Sequence, residues 1–321
     1  MRQASALVWN QEEGRLRAGV RVCLFFALWG FGPALLHLLL GHWVRSLVGA
    51  QGQWLASIYL DLLRLLAVLF AAVLAATWID RRPLADWGFH FSRRWFVDLL
   101  FGMALGAGLM GAIFAVQWAL GWVTITGFWS APAATPFLIA ILAPLVLAIV
   151  VSVAEELLSR GNQLLNLAEG FRFLRLRSAV LLAWLISSII FGALHVSNPN
   201  SSWLSTGYLV FYGAFLGAGY VLTGELALPI GLHFTWNFVQ GSILGFPVSG
   251  RPLYMVSVID TQQAGPDLWT GGAFGPEAGL LGLIAGLIGI ALIILWVRLQ
   301  TGVISFHHLA ANMGPKKGGI D

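Results

Sequence analysis

Charge is what this chain has least of. Asp, Glu, Lys and Arg together make up 10% of it, lysine occurs only at 316 and 317, and there is one cysteine, Cys23. A lone cysteine excludes an intrachain disulfide, and Cys23, inside an apolar run, reads as a packing residue. With 58% hydrophobic residues over 321 positions and a mean hydropathy of +0.82, a soluble globular domain is excluded. Apolar–polar alternation is missing too, which excludes a transmembrane barrel. The net charge of +4 calls for no nucleic-acid partner.

What the chain has instead is long apolar runs. Windows of about 20 apolar residues, the length a bilayer core requires, fall near 19–40, 55–78, 97–120, 136–158, 178–196, 205–223, 226–245 and 279–297. The expected fold is therefore all-α, a polytopic transmembrane helical bundle of about eight spans with membrane lipid as its surroundings. Placing the N-terminus in the cytoplasm puts Arg2, Arg15, Arg17 and Arg21, then Arg81, Arg82, Arg93 and Arg94, then Arg160, Arg172, Arg175 and Arg177, and finally Arg298, Lys316 and Lys317 inside. That is 15 of the 18 basic residues, the bias of the positive-inside rule. Both termini are expected in the cytoplasm, and a bacterial cell membrane is the expected location. The first run lacks a small-residue cleavage site and reads as a retained span.

Glycines four apart, Gly102 with Gly106, Gly213 with Gly217 and Gly282 with Gly286, predict close helix packing. Residues 121–135 and 246–278 read as long outward loops, with Trp129 and Trp269 suited to the interfacial aromatic belt. The basic, aromatic stretch from Asp80 to Trp95 suits anionic headgroups. Three regions follow: 1–135 with three spans, 136–245 as a core, and 246–321 as loop, last span and tail.

The polar residues within these runs carry the chemistry, because a carboxylate in hydrocarbon costs at least about 3 kcal/mol and needs a reason to be there. Glu155 and Glu156 are adjacent in the fourth run. Glu156 and Arg160, one turn apart with the acid first, form a favourable pair. Glu155, about 100° round the helix, is left free to act as a proton acceptor. Phe191 and His195 are one turn apart, so the ring can fix the imidazole. His233 and Asn237 share that spacing and could aim two N–H groups at one oxyanion. Asp61 and Arg64, three apart, read as a structural ion pair, and His37 as a core or interface histidine. A base, an orienting partner and electrophilic stabilisers together suit water-mediated acyl transfer.

EELLSR at 155–160, FGALH at 191–195 and HFTWN at 233–237 match in order and spacing the motifs EExxxR, FxxxH and HxxxN. In these the chain resembles the CPBP family of intramembrane proteases, which contains the CAAX-type prenyl-protein endopeptidases and the Abi bacteriocin-immunity proteins. DWGF at 86–89 resembles a weaker feature of the same family. The resemblance implies that Glu155 activates water with His195 assisting, that His233 and Asn237 form the oxyanion hole, and that Glu156 and Arg160 shape the site. The implied substrate is a peptide or lipidated protein at the membrane. No cofactor is favoured, since Asn237 is a poor zinc ligand and a good oxyanion donor; the alternative is a zinc site of Glu155, His195 and His233 with one open position. A non-catalytic immunity or scaffold protein, or a proton-coupled transporter, would use the same residues otherwise, though no inverted repeat supports transport.

Geometry adds one requirement. A fourth helix ending at Leu158 would leave Glu155 and His195 some 25 Å apart at 1.5 Å per residue. The helix is therefore expected to run on to about Gly170, with the turn Ser197–Ser201 dipping inward beside a water-filled cavity.

Overall fold

The computed structural model describes residues 8–11, 13–48, 53–132, 135–252 and 255–313. Arg2, Lys316 and Lys317, three charges of the topology reading, lie outside them. The apolar runs become helices because a backbone in lipid must satisfy its own polar groups. They are α1 (Ala18–Val48), α2 (Gln53–Leu74), α3 (Arg93–Ala119), α4 (Leu142–Glu156), α5 (Leu165–Gly170), α6 (Leu176–Ala193), α7 (Trp203–Thr223), α8 (Ala227–Phe238) and α9 (Leu280–Thr301). The protein is an all-α polytopic bundle. Among the described residues seven helical segments are long and apolar enough to cross a membrane.

The stretch 226–245 runs between the two ends of the bundle, from Leu226 at the Gly88 carbonyl to Leu244 at Thr261, but is built differently from the expected span. It forms α8 plus a π-helical turn, Val239–Ile243, shorter than the seven. From Ala227 to Trp236 every residue of α8 except Phe234 is buried, so its apolar run faces neighbouring helices. Glycines make this possible: Gly102 and Gly106 of α3 lie where any Cβ would collide with the α8 backbone at Leu228 and Leu232.

The fourth run extends as required. A single helical segment runs Phe137–Gly170, its α4 and α5 parts joined by a π-helical stretch, Leu157–Leu164. Wide π turns are a frequent companion of functional sites. Every residue of the stretch is buried.

Helix ends carry the charges at one end of the bundle. There the Glu169 carboxylate accepts from Arg15 at 3.1 Å, Arg21 at 2.8 Å and Arg82 at 2.5 Å. Asp80 accepts from the Trp87 indole and the Asn166 amide, each at 3.0 Å. Arg82 is thereby removed from headgroup contact, whereas Arg81, Arg93 and Arg94 of the same stretch are exposed. DWGF anchors this end: Trp87 is fully buried, and the Gly88 carbonyl accepts from Leu226 N–H at 3.0 Å, fixing the start of α8.

The opposite end is not only loop. β3 (Val123–Ser130) pairs antiparallel with β4 (Ser257–Gln263), with a bulge between Ile125 and Gly127. The β-branched run Val123–Thr124–Ile125–Thr126 is the local cause. A smaller ladder joins β1 (Trp9–Asn10) to β2 (Arg15–Leu16).

Candidate active site

Four helices bring the motif residues to one cavity of about 400 Å³. Glu155 and Glu156 come from the end of α4, Phe191 and His195 from the end of α6 and its following turn, His233 and Asn237 from α8, and α7 forms a wall. Glu155, Phe191, His195, His233 and Asn237 line the cavity, while Glu156 and Arg160 lie behind it, fully buried.

The buried pair has a third member. Glu156 Oε1 accepts from Arg160 Nη1 and from His233 Nδ1, both at 2.8 Å. Arg160 also donates to the Gly213 carbonyl at 2.8 Å, tying the π-helical stretch to α7. That contact needs a residue without a side chain, because a Cβ at 213 would strike the Ser188 backbone. The guanidinium sits 4.8 Å from the Phe191 ring centroid, a cation–π contact. The opposite neighbours of that ring are His195 at 5.0 Å and, edge-on, His233 at 6.3 Å. Phe191 thus holds both imidazoles and the arginine in place.

Hydrogen-bond partners fix the tautomers. A carbonyl oxygen only accepts, so His195 must carry its proton on Nδ1, which donates to the Phe191 carbonyl at 2.8 Å. His195 Nε2, with its lone pair, lies 3.9 Å from Glu155 Oε2. Too long for a direct hydrogen bond, this gap separates two acceptors. His233 spends its Nδ1 proton on Glu156, so its Nε2 donates only when the ring is doubly protonated. The half-buried Asn237 amide lines the same cavity.

Sequence reasoning missed the cavity's far wall. Val248, Ser249, Arg251 and Glu277 belong to the 246–278 segment and line it, as do Trp29 and Arg64 from α1 and α2. Arg64 also lines a second cavity of about 280 Å³ with His37, Ser57 and Asp61, so its place is richer than the expected ion pair. Glu277, outside the spanning helices, is 3% exposed and accepts from the Gln240 amide and the Ser249 N–H. Burial pushes its carboxyl up from 4.5 to about 7, against those hydrogen bonds. The signal was present in the sequence: Glu277 is the lone charge of the stretch 268–297.

Among the described residues, no group of three or more His, Cys, Asp or Glu side chains converges as a metal ion would need. Glu155, His195 and His233, the alternative zinc set, are not drawn together in that way among the described residues.

Residues 136–239 match the family model described as type II CAAX prenyl endopeptidase Rce1-like. Over that segment, about a third of the chain, the sequence is similar to the type II CAAX prenyl endopeptidases. All three motifs fall inside the match. No curated protein and no solved structure matches the chain significantly. The family supports an intramembrane CAAX-type endopeptidase activity in general terms, with a membrane-associated protein as its substrate and lipid as its surroundings.

Proposed function

We propose that the chain hydrolyses a peptide bond of a membrane-associated substrate, a prenylated CAAX-like chain or another membrane peptide, by metal-independent general-base catalysis. The observation that carries this reading is the pair of acceptors, Glu155 Oε2 and His195 Nε2, facing each other across 3.9 Å. A water has two protons to donate, one to each. Held so, it turns a lone pair to the substrate carbonyl carbon. Glu155 takes the proton as the O–C bond forms, a step worth about 10²–10⁴ in rate. The carbonyl oxygen becomes an oxyanion that accepts from Asn237 Nδ2–H and from a doubly protonated His233, whose charge Glu156 balances at 2.8 Å. The C–N bond then breaks, and the amine leaves with the proton that Glu155 returns.

Glu156, Arg160 and Phe191 act as positioning residues in this scheme. Region 136–245 supplies the chemistry, with 1–135 and 246–321 walling the cavity. The charge bias of the sequence supports an orientation in which the Glu169 end of the bundle and both termini are cytoplasmic.

The test is a comparison of membranes carrying wild type and Glu155→Gln, reading new C-termini by mass spectrometry, followed by the same assay with chelator on purified protein. The reading expects cleavage only with wild type and no effect of chelation. Cleavage by Glu155→Gln would refute the base assignment, and loss on chelation with rescue by zinc would favour the zinc alternative.

A further inference from the structure

Along the bundle axis, the cavity meets two ends that differ in kind. Its floor is formed by Glu155, Ser159 and His233. Beneath the floor lies a packed layer: the buried π-helical stretch, then Leu165 and Ala168, then Trp87 and Tyr220, each essentially without exposure. The Arg15–Arg21–Arg82–Glu169 network closes the layer. The roof, in contrast, is loop. Val248 and Arg251 form an isolated bridge, and Ser249 is tied to the turn after α6 by the Asn198 amide at 3.1 Å. Arg251, exposed, and half-buried Asn198 both line the cavity.

We infer that the cavity is entered from the end carrying the β3–β4 hairpin, opposite the charged network, and that its substrate is a peptide segment presented at the non-cytoplasmic half of the bilayer. The inference deepens the proposed function by choosing another membrane peptide over a prenylated CAAX-like chain, and it rests on the orientation given there. With the Glu169 end in the cytoplasm, about 15 residues separate Glu155 from Gly170, some 22 Å of helix at 1.5 Å per residue, buried from Glu156 to Glu169 at every position except half-buried Leu167. A lipidated chain kept in the cytoplasm could not reach Glu155 through that layer; a membrane-anchored or translocated chain reaches it through the Arg251 mouth.

The test is thiol accessibility on the full chain, in a Cys23→Ser background, in intact bacterial cells expressing it. Arg251→Cys reports the mouth and Phe173→Cys, at a position 79% exposed at the charged end, reports the other face. A membrane-impermeant maleimide should modify Arg251→Cys in intact cells and Phe173→Cys only after permeabilisation. Should Arg251→Cys fail to accumulate, Ser197→Cys, exposed in the turn beside His195, takes its place. The reverse pattern, or a mouth cysteine silent until the cells are opened, would overturn the inference. Labelling needs no cleavage, so a failed protease assay leaves this result standing.

Discussion

Two clusters of buried charge sit about two thirds of a bilayer apart in the same helix, and they are wired differently. At Glu169 one carboxylate accepts hydrogen bonds from three arginines, with a fourth, Arg172, at 3.6 Å. At Glu155–Glu156 only the inner carboxylate is paired, to Arg160 and His233, while Glu155 keeps a 22% exposed side chain and one long contact. A network in which both carboxylates, Asp80 and Glu169, are paired stabilises the arrangement of α1, α2 and α5. A network with one member left over has a reagent. The same residue types, at the same cost of desolvation, serve a scaffold in one place and chemistry in the other.

The largest effect should come from breaking the Glu169 cluster. Glu169→Ala removes the carboxylate that Arg15, Arg21 and Arg82 share and that Arg172 approaches at 3.6 Å, and breaking a buried pair costs about 3–5 kcal/mol, so thermal unfolding in detergent should show a loss near the upper end and a poor folded yield. Unchanged melting would show that their remaining partners, Glu13, Asp80 and the Asn312 carbonyl, suffice to hold the arginines. Glu156→Ala and Arg160→Ala each strand less and belong near the lower end of that range. Their double mutant should melt above the worse single, the mark of a coupled pair; strict additivity would refute the coupling.

Smaller in free energy, yet visible in rate, are the oxyanion donors. His233→Ala and Asn237→Ala should each leave a folded protein whose turnover falls by about 10²–10³. Should Asn237→Ala be as fast as wild type, the amide is not in the hole. Smallest is the effect of Glu277. Its carboxyl is raised from 4.5 to about 7 in the folded chain, so the native state holds its proton more tightly than the unfolded one. Its contribution is full below pH 4.5 and disappears as pH rises through about 7. Melting temperature should fall across that window in wild type and stay flatter in Glu277→Gln; equal slopes would remove Glu277 as the cause.

How much of this was legible beforehand differs between the same two regions. Motif spacing names the residues at the cavity, because i,i+4 geometry on a helix fixes which side chains project together, as for Glu156 with Arg160. Chain length and helix rise also force the fourth helix on to Gly170. The second partner of Glu156, His233 Nδ1, was hidden, since it depends on how α8 packs against α4. So was the Glu169 cluster: Arg15, Arg21 and Arg82 look like loop charges in sequence, and only the fold brings them within 3.1 Å of one carboxylate. The run 226–245 misled for a related reason, since hydropathy does not distinguish a helix facing lipid from one facing other helices.

The most direct measurement sets the two carboxylates side by side as amides. Glu155→Gln and Glu169→Gln, purified in parallel, would each be measured for melting temperature and for cleavage of a membrane-anchored reporter peptide. The account predicts a Glu155→Gln protein that melts with wild type and does not cleave, and a Glu169→Gln protein that melts lower and, where folded, still cleaves. Full cleavage by Glu155→Gln would contradict it.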